Sequence, residues 1–210
     1  MNKKIFVYII IFLSFVVGLY SYYLMPERMA SHWNAQGQVD GYVSKGFGVF
    51  FFPCFLLFLA LLLLFIPKID PLKKNIEKFK ESYEMFIVFF TVFFFYVYVL
   101  TLLWNMGTVF NMNMVLMPAL AILFYYIGIL LEKTKRNYFI GIKTPWTLAS
   151  DKVWEKTHKL GGKLFKIAGL FALISVFFSQ YAFCLFFVPI IVFSIYLFVY
   201  SYFEFKKENN

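Results

Sequence analysis

The side chains of this chain that could do acid–base or metal chemistry gather in two polar segments. The first runs from Leu24 to Lys45 and carries Glu27, His32 and Asp40. One imidazole and two spaced carboxylates could hold a metal, but they match no standard ligand spacing, so no metal is expected there. The competing reading is a compact loop. In it Trp33 sits at a membrane boundary, Gly37 supplies a turn with positive φ, and Asn34 and Asp40 bond to backbone. The second segment, 132–163, carries Lys143, Trp146, Trp154 and His158. These could form a partner-binding surface, or simply an aromatic-and-basic belt that fixes depth, since Trp and Lys favour a membrane boundary anyway. Neither segment holds a phosphate-binding glycine loop, HExxH, GxSxG or a dinucleotide-binding glycine pattern, so no enzyme and no cofactor is expected.

The elements that must position these residues are apolar. Of the 210 residues, 62% are hydrophobic and 24% aromatic, which leaves too little polar surface for a water-soluble domain. Apolar runs lie at 5–24, 47–66, 85–104, 114–131, 164–178 and 182–203. Each is read as a transmembrane helix, the fifth being short and beginning near Gly161 with Lys163 and Lys166 snorkelling. The first is read as an anchor rather than a cleaved signal, because it is long and lacks a small-x-small site before Pro26. Cys54 and Cys184 fall inside apolar runs, which argues for packing roles and against a disulfide. No ionisable group sits at mid-depth, which disfavours ion-coupled transport.

A net charge of +9 raises the question of nucleic acid, and the placement of the charge answers it. With the N-terminus inside, every basic residue of the chain except Arg28 and Lys45 falls on the cytoplasmic side, as the positive-inside rule requires. The basic balance therefore sets topology, with attraction to anionic membrane lipid as a minor addition and no direct nucleic-acid binding. The expected architecture is all-α and integral to the membrane: six transmembrane helices, N-in and C-in, with a short outer loop domain at 25–46. A first helical hairpin would occupy 1–66, and a four-helix region 67–210. Within 132–163, Ser150 can cap a short helix that Gly161 and Gly162 would end, giving an interfacial amphipathic helix beneath the bundle. Pro53, Pro118 and Pro189 lie near the outer ends of the inward-running helices, where they could splay a cavity or be ordinary membrane prolines.

The run Asn137-x-x-Ile140-Gly141-Ile142-Lys143-Thr144-Pro145-Trp146-Thr147-Leu148, followed by Trp154, His158, Gly161 and Gly162, resembles the signature of the SdpI family, membrane immunity proteins of Bacillus-type cannibalism toxin systems. The pattern Pro26, His32, Trp33, Asn34, Gly37, Asp40 resembles a small domain of unknown function often fused in front of it. The resemblance implies a multi-pass cell-membrane protein that protects its producer from a secreted peptide toxin. It also implies a possible receptor role, with a winged-helix repressor held at the cytoplasmic face. Candidate partner-binding positions are then Asn137, Gly141, Lys143, Thr144, Pro145, Trp146, Trp154 and His158 inside, and His32, Trp33, Asn34, Gly37 and Asp40 outside. The alternatives are a general envelope-stress or resistance factor, a passive transport protein, and a membrane enzyme using either histidine.

Overall fold

A computed structural model describes residues 2–209. Its long helices are α1 (Lys3–Ser21), α2 (Lys45–Ile69), α4 (Lys80–Asn105), α5 (Met112–Lys133), α7 (Asp151–Ser175) and α8 (Ala182–Asn209). Two short helices, α3 (Lys73–Glu77) and α6 (Pro145–Ala149), lie in the connections. Five of the long helices, all but α7, are long and apolar enough to cross a membrane. The segment between α1 and α2 folds as an antiparallel hairpin, β1 (Arg28–Trp33) with β2 (Val39–Ser44), where the sequence suggested a compact loop without assigning strands to it.

Helices α1, α2 and α4 share one core, with Val7, Ile11, Leu56, Ala60, Tyr83 and Ile87 buried among them. Helices α5, α7 and α8 share another, around Met117, Ala121, Ala172 and Phe186. Outward faces remain rich in exposed Phe, Ile, Val and Tyr, as lipid-facing helices require. Both free cysteines, Cys54 and Cys184, lie on such exposed faces.

Prolines inside a helix strand the carbonyl four residues earlier, and in hydrocarbon that carbonyl must find another donor. Pro53 strands Val49, and the buried Tyr98 hydroxyl donates to the Val49 oxygen at 2.9 Å. Pro67 strands Leu63, and Tyr83 donates to that oxygen at 2.8 Å. In both cases a tyrosine of α4 supplies the donor that the proline removes from α2. Pro118 lines a cleft of about 290 Å³ that lies between α4 and α5 and is walled by Phe89, Val92, Tyr96 and Ile122. Its walls include neither Pro53 nor Pro189.

The expectation of a separate interfacial helix ending at Gly161 and Gly162 is overturned, because α7 runs unbroken through both glycines to Ser175. The expected two faces are present at its start: Lys152, Glu155, Lys156 and Lys159 are exposed, Val153, Trp154 and Thr157 of the expected inner side are buried with Leu160 half-buried, and His158 is buried beside them. Glycine here serves close approach rather than termination. A Cβ on Gly128 would meet the Gly162 carbonyl oxygen at 2.5 Å, and one on Gly162 would meet the Gly128 oxygen at 2.7 Å. Seven residues along, a Cβ on Gly169 would meet the Ala121 oxygen at 2.8 Å. The two backbones touch, as small-residue interfaces permit in membranes. Antiparallel pairing of 128 with 162 and 121 with 169 lays the second half of α7 along α5, itself apolar enough to span. Lys166, which was expected to snorkel, pairs with Glu132 of α5 at 2.7 Å.

Candidate functional site

At the end of the bundle where α2 stops and α7 begins, residues 134–150 are folded around two buried side chains. Asn137 is fully buried and uses all its hydrogen-bonding capacity. Its Nδ2 donates to the Lys135 and Ile140 carbonyls, each at 2.8 Å, and its Oδ1 accepts from Phe139 N at 3.0 Å and Ile140 N at 2.6 Å. A single side chain thus replaces the backbone pairs that an irregular buried turn lacks.

The second is His158, 1% exposed, with its ring stacked on the Trp154 indole at 3.9 Å between centroids. Its Nδ1 lies 2.8 Å from the Trp154 carbonyl oxygen, and its Nε2 lies 2.8 Å from Ile142 N. A carbonyl can only accept and an amide N–H can only donate, so the ring must be neutral with its proton on Nδ1. Burial pushes the imidazole down to about 4. Gly141, at φ +123°, passes directly against this ring, and a Cβ there would collide with the His158 Nε2 edge.

The rest of the signature ties this turn to its surroundings. Thr144 and Thr147 form a reciprocal capping box that opens α6, with Pro145 at its first turn. Thr144 Oγ1 also lies 3.0 Å from Ser201 Oγ of α8, and Thr147 Oγ1 donates to Ile142 O. Trp154 Nε1 donates to Thr134 O at 3.2 Å. Ser150 caps α7 as expected, accepting from Val153 N, and Asp151 occupies its first turn. Arg136 donates through a terminal nitrogen to Leu148 O, and its Nε lies 2.7 Å from Asp151 Oδ1, a charge contact without an aligned hydrogen bond.

Residues the sequence did not single out carry the link to the other half of the bundle. Asp70, buried at the end of α2, accepts from Tyr138 N at 2.9 Å, and Asn75 of α3 donates to Arg136 O at 2.8 Å. The only available signal was a polar pair at the end of an apolar run. Among the candidate partner-binding positions, Asn137, Thr144, Trp154 and His158 are buried, so they build the scaffold and are closed to a partner in this conformation. Lys143 and Pro145 are exposed and Gly141 is half-buried. Trp146, also half-buried, packs its edge on Phe198 and Tyr202 of α8. Lys143 Nζ donates to Phe139 O at 3.0 Å. The accessible part of the signature is therefore Lys143, Pro145 and Trp146.

The hairpin caps the opposite end. Gly37 takes φ +78° in its turn, and Asn34 Oδ1 accepts from Gln36 N and Gln38 N, both as expected. Asp40 was expected to bond to backbone; instead its Oδ1 lies 2.5 Å from His32 Nδ1, and both side chains are exposed. Two irregularities in the strand register make this possible, since Ser31 and Asp40 have no cross-strand partner. Beneath them, Asn105 at the end of α4 clamps Ala30 through both its N–H and its C=O, and Asn113 donates to the Asn34 and Ala35 carbonyls. Trp33 stacks edge-on against Trp104. The two histidines thus sit at opposite ends of the molecule and share no site. Among the described residues no cluster of His, Cys, Asp and Glu could hold a metal ion.

Residues 133–201 match the SdpI/YfhL protein family, and residues 9–57 match the domain of unknown function DUF1648. Over all 210 residues the chain is 25% identical to the Immunity protein SdpI of Bacillus subtilis (strain 168), covering 99% of that protein. No solved structure matches it. The relative aligned from end to end and the apolar helices together make this chain a multi-pass membrane protein, and its signature around Asn137 and His158 is what it shares with the SdpI family.

Proposed function

We propose that the chain is a membrane immunity protein that protects the cell making it from a secreted, membrane-active peptide toxin. The observation that carries this reading is the end-to-end similarity to a protein named for immunity, which includes both the hairpin region and the signature region. In this reading the second half of α7 is a sixth crossing, because it runs along α5, while the first half with His158 stays at the cytoplasmic end. Both chain ends then face the cytoplasm with the lysine-rich end. The hairpin faces outward and offers His32 and Asp40 to the toxin, while Lys143, Pro145 and Trp146 face inward.

We further propose that toxin engagement shifts the bundle toward an arrangement in which the inward face holds a soluble repressor of the winged-helix type. A ligand can shift such an equilibrium only by its difference in affinity for the two arrangements. The physical link available is α2 and α4 as rods. The hairpin is clamped to the end of α4, and the signature turn is tied to the end of α2 through Asp70.

A strain lacking the gene, challenged with the toxin-producing neighbour, is expected to lyse and to be rescued by the intact chain. Equal survival with and without the gene would sink immunity. Paired changes Lys143→Glu and Trp146→Ala are expected to abolish recruitment of the repressor while leaving insertion and protection in place. Unchanged recruitment would show that the inward face lies elsewhere.

A further inference from the structure

At the signature end, the first turn of α1, the last turn of α2, α3 and the first turns of α4 enclose a cavity of about 210 Å³. Each of these four elements contributes a lysine to its rim: Lys4, Lys68, Lys73 and Lys80. The carboxylates on the same wall are Glu77 and Glu84, of which Glu84 lies 3.8 Å from Lys4. Among the described residues the ammonium groups of Lys68, Lys73 and Lys80 make no salt bridge and no hydrogen bond, and with Glu77 as the one carboxylate left unpaired on this wall the rim carries net positive charge. The short helix that holds Lys73 is fixed in place, because Ile76 and the adjoining Phe79 are buried in the core of α1, α2 and α4.

The floor differs in kind from the rim. It is made by Leu64, Ile76, Tyr83 and Ile87, the last three being buried, and it lies toward the apolar middle of α2 and α4. The Tyr83 hydroxyl is already committed to the Leu63 carbonyl and presents no polar group to the cavity. A small anion would satisfy the lysines and leave the floor empty. A molecule with a phosphate at one end and hydrocarbon at the other satisfies both.

We propose that this cavity is a binding site for an anionic phospholipid, with the phosphate held among Lys68, Lys73, Lys80 and Lys4 and the first carbons of an acyl chain resting on Ile76, Tyr83 and Ile87. Lysines at headgroup depth each contribute about 1 kcal/mol of attraction to anionic lipid at moderate salt, equivalent to about fivefold in affinity. Bound lipid would brace α2 against α4 at the place where Asp70 holds the signature turn.

The test uses the full chain purified in a neutral detergent, with native mass spectrometry counting retained phosphatidylglycerol against phosphatidylcholine. The expected result is one tightly retained phosphatidylglycerol and no equivalent phosphatidylcholine. The triple variant Lys68→Gln, Lys73→Gln, Lys80→Gln should weaken retention by about a hundredfold at low salt. A control triple, Lys133→Gln, Lys159→Gln, Lys163→Gln, removes the same charge elsewhere on the same end and should leave retention unchanged. Equal losses in the two triples would reduce the effect to general charge attraction and overturn the site. A parallel arm offers inorganic phosphate without lipid. Phosphate bound as tightly as phosphatidylglycerol would mean that the floor plays no part and that the ligand is a soluble anion. Circular dichroism at matched concentration shows whether each variant is folded.

Discussion

The two ends of this bundle use their polar residues in opposite ways. At the hairpin end, the side chains with chemical potential, His32 and Asp40, are exposed and bonded to each other, and the structural work beneath them is done by Asn105 and Asn113. At the signature end, Asn137 and His158 are themselves the structural work, buried with every strong donor and acceptor matched to backbone. Density of a motif in the sequence therefore marks two things: a surface at one end and a scaffold at the other. Substitutions should separate them, costing stability at the signature end and contacts at the hairpin end.

The largest effect is expected at Gly141. Valine there must adopt φ near +123° and drive its side chain into His158 and Trp154. Strain and overlap together should cost about 3–5 kcal/mol. The expected outcome is loss of the monodisperse folded protein in detergent by size exclusion, or a sharply lowered midpoint of thermal unfolding. A Gly141→Val protein that melts like the parent would show that the turn relaxes freely and that the contrast between the ends is overstated.

His158 sharpens the same contrast through pH. Its folded value of about 4 lies below the ordinary 6.5, so the folded state binds fewer protons than the unfolded one. Stability from this group is therefore complete above about pH 6.5 and is lost progressively as pH falls toward 4, by about 3 kcal/mol in all. Protonation would place a hydrogen on Nε2 facing the Ile142 N–H, setting donor against donor. The chain has two histidines, so the measurement belongs in a His32→Gln background, where His158 is the remaining imidazole. Unfolding midpoints there should fall from pH 7 to pH 4, and the added change His158→Phe should remove that part of the fall.

How much of this was legible beforehand depends on whether the signal was local. Apolar runs, the turn at Gly37, the Ser150 cap and the buried face of early α7 follow from spacing and residue type, and all are present. Gly161 and Gly162 misled because glycine ends helices in water, whereas in a membrane it also lets helices touch, and only the partner Gly128 distinguishes the two. The hairpin was hidden by its short strands and by Ser31 and Asp40, which interrupt the alternation that announces a strand. Asp70, Asn105, Tyr83 and Tyr98 act across helices, on Tyr138, Ala30, Leu63 and Val49, and no spacing within one segment reveals such partners.

A smaller cost is expected for Asn105→Ala. The change removes both bonds to Ala30 and leaves that backbone N–H and C=O without partners in a part-buried setting. A loss of about 1–3 kcal/mol follows, confined to the hairpin. Hydrogen exchange is expected to quicken at Ala30 and its strand neighbours while protection of Ile140 and Ile142 is retained. Quickening at both ends together would mean that the bundle unfolds as one unit and that the hairpin cannot report to the signature end by itself.

The smallest stability effect belongs to His32→Ala and Asp40→Ala. Their pair is solvent-exposed on both sides, and such pairs contribute about 0–1 kcal/mol. Thermal unfolding at neutral pH should therefore shift little for either single change, and the double change should add nothing beyond the sum of the two. Protection against the toxin is where these residues should matter if the hairpin is the receiving surface, because their side chains are free to meet a ligand while Asn137 and His158 are not. Folded, inserted His32→Ala and Asp40→Ala proteins that protect fully would move the receiving surface off this pair and onto the apolar flanks of the bundle. Reduced protection with unchanged melting would separate function at this end from stability at the other.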